Sequence, residues 1–320
     1  MNGLGIIVFF SVAFLLLHRY RSMPCVAPLP KQGYAGAVIL FAAQYLTLVG
    51  VNPVALYFTP IAWTGYLLWV DAAVFSLRGK SLLRTYPAEF AWLAACSIPL
   101  WLLFEAYNLR LANWVYVGLP QNWILRQIGY AWAFATIWPG IFETASLLRA
   151  LDWNAPQAKS GASPPSAPGG VALTLSFLLG AVLVTVPVLV PPATGTYLFG
   201  AVWLGFIFLL EPIHLRTGCE SLWGDLRQGD SSRLRSLLWA GLICGILWEF
   251  WNYWAAARWV YTVPILPEWR IFAMPVLGYL GFPAFAVECF AMFAFLAPWL
   301  SRISAALGIG RKLDWQALQL

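Results

Sequence analysis

Residues 104–116 read FEAYNLRLANWVY, and residues 248–261 read WEFWNYWAAARWVY. Each stretch leaves a long apolar run through an acid, places an asparagine three residues later and closes on Trp-Val-Tyr. The residues are Glu105, Asn108 and Trp114-Val115-Tyr116, then Glu249, Asn252 and Trp259-Val260-Tyr261. The offset is 144 for acid and amide and 145 for the aromatics. The correspondence extends outward. Tyr57, Trp63, Gly65, Asp71, Ser81 and Leu82 are matched at an offset of 140 by Tyr197, Trp203, Gly205, Glu211, Ser221 and Leu222. Arg126 matches Arg270 at 144, and Pro139 and Glu143 match Pro283 and Glu288 at 144 and 145. Chance registration of two apolar stretches sets Leu on Leu. It seldom aligns Trp, Tyr, Asn and acids together. The offset drifts only at loops and prolines, where insertions are tolerated. The chain therefore reads as an internal duplication.

Composition says what is duplicated. Hydrophobic residues make up 61% of the 320 positions and charged residues only 10%, against about 25% charged in soluble domains. Mean hydropathy is +0.73. These values exclude a soluble enzyme, a disordered tail, a coiled coil and a disulfide-stapled secreted domain. Nine apolar runs are legible, near 3–17, 34–51, 54–76, 88–108, 127–148, 171–190, 195–214, 236–254 and 271–298. At 1.5 Å per residue, a run of about 20 spans a hydrocarbon core of about 30 Å. The expected fold is an all-α polytopic integral membrane protein of about nine transmembrane helices. Its parts are an N-terminal anchor helix (1–33), four-helix repeat A (34–150), a flexible cytoplasmic Pro/Gly/Ser linker (151–170), four-helix repeat B (171–300) and a cytoplasmic tail (301–320). Four helices per copy is an even number, which predicts two copies in the same orientation about an axis along the membrane normal. The first run lacks a basic leader and a small-residue cleavage site and reads as an anchor. The last, interrupted by Pro275, Gly278, Gly281 and Pro283, is expected to be tilted, kinked or partly re-entrant.

The net charge of +6 does not point to nucleic acid, because the basic residues lie between apolar runs. Of 19 Lys and Arg, 15 fall in the segments after runs 1, 3, 5, 7 and 9. The other four are Arg110, Arg126, Arg258 and Arg270. The positive-inside rule then predicts an inner, cytoplasmic-type membrane with the N-terminus out and the C-terminus in. The five cysteines form no CxxC pair, and the histidines are only His18 and His214. No metal site and no cofactor are expected. Gly241-x-x-x-Gly245 reads as a helix-packing motif.

Besides Glu89 at the very start of its run, six acids fall within the runs: Asp71, Glu105, Glu143, Glu211, Glu249 and Glu288. An intramembrane acid costs roughly 2.5–3.5 kcal/mol on insertion scales and usually faces a bundle interior or a wet cavity. Counting from the helix ends places Asp71, Glu143, Glu211 and Glu288 in a deep layer and Glu105 and Glu249 near the outer surface. A neutral carboxyl donates a proton and a nearby carboxylate accepts one. Glu105, Glu249, Glu143 and Glu288 are therefore the candidate catalytic residues. Acid and amide three apart share a helix face, and the aromatics follow directly. This combination predicts an outer-leaflet pocket with Asn108, Asn252, Trp114, Tyr116, Trp259, Tyr261 and Trp248 as substrate-binding residues. An interfacial aromatic belt accounts for the Trp and Tyr but not for the acid and amide. No DDxxD, HExxH, GxSxG or GxxxxGK[ST] motif occurs.

Phe104-Glu105 and Trp248-Glu249, the downstream W-x-Y, and Pro139 with Glu143 or Pro283 with Glu288 together resemble the membrane domain of the heterodimeric and fused lycopene β-cyclases. This chain has Glu where that family has Asp in the first pair. It carries one acid, not two, after each proline. The resemblance implies a cofactor-free isoprenoid cyclase. A carboxyl protonates a terminal double bond, the cation closes on a neighbouring alkene beside aromatic faces, and a base removes a proton in a site closed to water. The function expected is thus acid–base cyclisation or isomerisation of an isoprenoid or carotenoid. The alternatives are a lipid- or pigment-binding accessory or assembly subunit of a membrane complex, and a transporter with intramembrane acids. Expected partners are a membrane lipid or isoprenoid, and a membrane-protein partner or a second copy of the chain.

Overall fold

The structure, a computed structural model, describes residues 2–153, 169–308 and 313–318. Apart from Gly169 and Gly170, the Asn154–Gly170 linker lies outside the described residues. In the first half the helices are α1 (Asn2–Ser22), α2 (Lys31–Leu48), α3 (Asn52–Leu56), α4 (Phe58–Arg78), α5 (Leu82–Thr85) and α6 (Pro87–Leu111). The strand β1 (Trp114–Val117) follows, then α7 (Trp123–Ala135) and α8 (Ile137–Ala150). The second half holds α9 (Gly170–Leu189), α10 (Pro192–Gly195), α11 (Phe199–Thr217), α12 (Leu222–Arg227) and α13 (Ser232–Trp254). It continues with β2 (Arg258–Tyr261), β3 (Arg270–Ile271), β4 (Met274–Pro275), a 3₁₀ turn (Val276–Leu280) and α14 (Gly281–Ala306). A last 3₁₀ turn covers Trp315–Leu318. The anchor expected over 1–33 is α1 alone, since α2 already begins at Lys31.

The elements start and stop for local reasons that recur along the chain. Gly79 (φ 72°) and Gly218 (φ 71°) end α4 and α11 in the left-handed conformation, donating back to Phe75 O and His214 O. Pro87 opens α6 and Pro192 opens α10, where the missing N–H is no loss. Small residues let backbones touch. A Cβ on Gly36 of α2 would meet Gly65 O of α4 at 2.4 Å, and one on Gly180 of α9 would meet Leu209 N of α11 at 2.3 Å.

Seven helical segments among the described residues are long and apolar enough to cross a membrane: α1, α4, α6, α9, α11, α13 and residues 276–306. Nine were expected. The run 127–148 breaks at Thr136 into α7 and α8, because Pro139 has no N–H for the carbonyl of Ala135 and the Thr136 hydroxyl donates to Ala133 O. Run 34–51 forms the 18-residue α2, which packs along α4 but carries Lys31, Gln32 and Gln44. The last run is helical only from Val276, with a regular helix from Gly281. Its first residues form β3 and β4, joined through Phe272 at φ 55°.

The core is contiguous across both halves. Trp63, Trp138 and Phe290 are fully buried. Helix α13 lies between α8 and α14, so a largely buried helix of the second half packs against both halves.

Candidate functional site

Two short strands bring the two Trp-Val-Tyr segments together. β1 and β2 run antiparallel, with Trp114 opposite Tyr261, Val115 opposite Val260 and Tyr116 opposite Trp259. Each Trp faces the Tyr of the other segment, and the valines meet at the centre. Side chains alternate along a strand, so all four aromatics share one face of the ladder and the valines take the other.

The asparagines hold this ladder in place. Asn108 Nδ2 donates to Trp114 O at 2.8 Å, and its Oδ1 accepts from Asn113 N and Trp114 N at 2.8 and 3.1 Å. Asn252 does the same for Trp259, donating to its O and accepting from its N, both at 2.9 Å. A two-stranded ladder leaves alternate backbone groups pointing outward, where they need partners. The two amides supply them. Asn108 also accepts the N–H of Ala112 on its own carbonyl, at 2.8 Å, fixing a non-glycine residue at φ 50°. Asn108 and Asn252 were expected to touch substrate. Their amides are instead spent on backbone.

The acids hold the aromatic side chains. Glu105 Oε1 accepts from Tyr116 OH, Trp101 Nε1 and Trp114 Nε1 at 2.6, 2.7 and 3.1 Å. Glu249 Oε1 accepts from Tyr261 OH at 2.7 Å and Trp259 Nε1 at 3.4 Å, and that indole also donates to Tyr261 OH at 2.8 Å. Glu249 is fully buried, and its Oε2 has no hydrogen-bond partner among the described residues. The halves differ at one point. Trp101 has Gly245 as its counterpart, and a Cβ there would come within 2.1 Å of the Phe282 ring. Phe282 fills the room that an indole takes in the first half.

A cavity of about 320 Å³ opens in front of this wall, a size typical of small-molecule sites. Trp114, Tyr116, Trp259, Tyr261 and Trp248 all line it. So do Trp63, Trp101, Trp203, Phe282 and Phe285, together with Arg126 and Arg258. Among the described residues no Asp or Glu lines it: Glu105 and Glu249 lie behind the aromatic side chains they bind. Trp101 could have been found in the sequence, since it stands four residues before Glu105 on the same helix face. Trp63 and Trp203 were visible as matched residues, but nothing in sequence tied them to the outer motif.

The deep acids divide into two kinds. Asp71 Oδ1 accepts from Leu83 N at 2.7 Å, at the start of α5. Glu211 accepts from Ser221 Oγ, Trp223 N and Leu222 N at 2.6, 3.0 and 3.2 Å, at the start of α12, and His214 Nδ1 sits 3.5 Å from it. These two acids secure short helices by satisfying their free N–H groups. Glu143 and Glu288 are buried in α8 and α14, Glu143 beside Asp71 and the backbone of Leu83 and Glu288 beside the backbone of Phe206. Glu143 and Glu288, expected to act with the outer acids, line no part of the aromatic cavity. No group of three or more His, Cys, Asp or Glu among the described residues is placed to hold a metal ion.

Compared with family models, curated proteins and solved structures, the chain has no match in any of the three.

Proposed function

We propose that this chain is an integral membrane protein that holds a long apolar lipid of isoprenoid type in the aromatic cavity and acts on it by acid–base chemistry. The observation carrying this reading is the wall itself: the Trp-x-Tyr of both halves lines one cavity, and each is backed by a carboxyl within hydrogen-bond distance of its tyrosine. A proton leaving one Glu through its Tyr hydroxyl adds to an alkene carbon. The resulting cation rests against indole faces and closes on a second alkene. The cation left by closure loses a proton to the other Glu–Tyr pair, and that proton passes back to the first Glu before the next turnover. Nothing is consumed, so the change is an isomerisation. The second reading is a subunit that binds lipid or pigment without chemistry. It is favoured by Glu105 and Glu249 reaching the cavity only through the side chains they hold.

The purified protein should yield a stoichiometric polyene or isoprenoid in its lipid extract, read by mass spectrometry and visible absorption. Glu105→Gln and Glu249→Gln proteins should then retain the lipid and lose its turnover. Bulk phospholipid alone in the extract removes the isoprenoid. Full turnover in both variants removes the acid–base step.

We also propose that residues 34–150 and 171–300 are tandem copies with the same orientation. Support comes from the equal duties of residues a fixed distance apart: Asn108 and Asn252, Glu105 and Glu249, Asp71 and Glu211. The positive-inside count supports an inner membrane with the N-terminus out. An impermeant thiol reagent should label Cys219 only from the cytoplasmic side; labelling from outside intact cells reverses the orientation.

A further inference from the structure

We infer that the cavity takes an amphiphile whose anionic head, a phosphate or carboxylate, is held at the mouth by Arg126 and Arg258. This deepens the function proposed above and rests on the cavity reading. Two arginines line a cavity whose walls hold no acid. Among the described residues neither has a carboxylate within ion-pair distance: the ion pairs present join Glu211 with His214, and Glu220 and Asp225 with Arg233.

The backbone brings the two arginines to one place. Arg258 pairs with Val117 at the last rung of the ladder. The chain then turns at Gly118 (φ 68°), so close to the second half that a Cβ would meet Ala256 O at 2.1 Å. Two residues further on, Pro120 O accepts from both Nε and Nη2 of Arg126, each at 3.0 Å. Arg126 thus grips the loop that begins beside Arg258. Among the described residues the bonds these side chains make are to carbonyls, to Pro120 O and, from Arg258 Nη1, to Tyr253 O at 3.4 Å. Carbonyls leave the guanidinium charge unneutralised. An anion neutralises it through charge-assisted hydrogen bonds, which are about twice as strong as neutral ones. The apolar wall beyond requires that the anion carry a chain.

The test uses purified full-length protein in neutral maltoside micelles, titrated with dodecyl phosphate, dodecanol or inorganic phosphate and read by tryptophan fluorescence. Dodecyl phosphate is expected to bind about tenfold more tightly than dodecanol, as about 1.4 kcal/mol requires. In Arg126→Gln/Arg258→Gln protein the preference should fall to about twofold or less while dodecanol binding is kept, which also shows the variant folded. An Arg110→Gln/Arg270→Gln protein carries the same charge change at residues outside the cavity lining and should retain the preference. Equal binding of the two chains by the parent overturns the inference. So does a preference that survives in the cavity variant, or one that falls equally in the control. Inorganic phosphate acting as strongly as dodecyl phosphate assigns the arginines to a free anion and overturns the amphiphile. Where dodecanol binds and no phosphate preference is seen, the headgroup inference falls and the cavity reading stands. Binding of no chain removes both.

Discussion

Replacing Asn252 with leucine separates the part this residue plays in the fold from the part first expected of it. The side chain is fully buried and its two hydrogen bonds both go to Trp259, one to the N–H and one to the carbonyl. Leucine has the same branched outline and number of heavy atoms, and can make neither bond. Two backbone groups then lose their partners where water is scarce, at about 1–3 kcal/mol each. The added apolar contact returns about 1 kcal/mol. The expected loss is about 1–5 kcal/mol, measured as unfolding free energy in detergent micelles against denaturant. It should come with faster hydrogen exchange at the Trp259 amide and unchanged exchange in α4, which the clamp does not touch. An Asn252→Leu protein that unfolds with the parent and keeps Trp259 protected refutes the clamp, and would return Asn252 to the cavity as a group that acts on ligand.

The close approach of small residues predicts that Gly36→Ala and Gly180→Ala each cost about 1–3 kcal/mol by overpacking, whereas Gly3→Ala, with open space around it, changes stability by about 0.5 kcal/mol or less. Glu211→Leu should cost about 2–4 kcal/mol, since it strands the N–H groups of Leu222 and Trp223 and the Ser221 hydroxyl; equal stability would remove its role as anchor of α12. At the start of α13 the Ser232 hydroxyl and N–H hold the Asp230 carboxyl below its usual value. A depressed carboxylate stabilises the fold above the ordinary Asp value of about 3.9 and loses that contribution as pH falls through its own lower value. Asp230→Asn should therefore flatten the acid limb of a stability–pH curve, and an identical limb in the variant would show that Ser232 contributes nothing there.

Polar residues inside apolar helices were the legible part of this chain, because their cost restricts where they can stand. Glu105, Asn108, Glu249 and Asn252 stood out for that reason, and all four help to form one wall. What each does was not legible. The asparagines act on backbone groups, which leave no mark on sequence, and the glutamates act on side chains that looked like a membrane-interface belt. The pairing of β1 with β2 joins four-residue strands about 145 residues apart, too short for alternation to register and too distant for a turn signal. Residues 271–280 read as helix because they are apolar. Pro275 and Gly278 marked an interruption there, but the left-handed Phe272, not a glycine, gave no sign of the β3–β4 turn. Depth alone grouped Asp71 and Glu211 with Glu143 and Glu288, although their hydrogen bonds set them apart. The matched Ser81-Leu82 and Ser221-Leu222 were the overlooked sign that these acids meet a helix start.

The ladder also decides where a site on this chain must belong. Its register sets Trp114 against Tyr261 and Tyr116 against Trp259, so each Glu holds a Tyr that faces the other half's Trp. Separating the halves would leave two edge strands with unpaired backbone groups and open the cavity along its aromatic wall. Neither Trp-x-Tyr can form its share of the wall alone, and Phe282 occupies in one half the space that Trp101 fills in the other. The cavity is therefore a property of the pair, with two similar but unequal Glu–Tyr ends. In the acid–base reading that inequality lets one end give a proton while the other receives it. The single variants then fail for different reasons: with one carboxyl replaced no proton is delivered, and with the other replaced none is removed. Glu105→Gln and Glu249→Gln proteins that lost turnover at the same step would contradict this division.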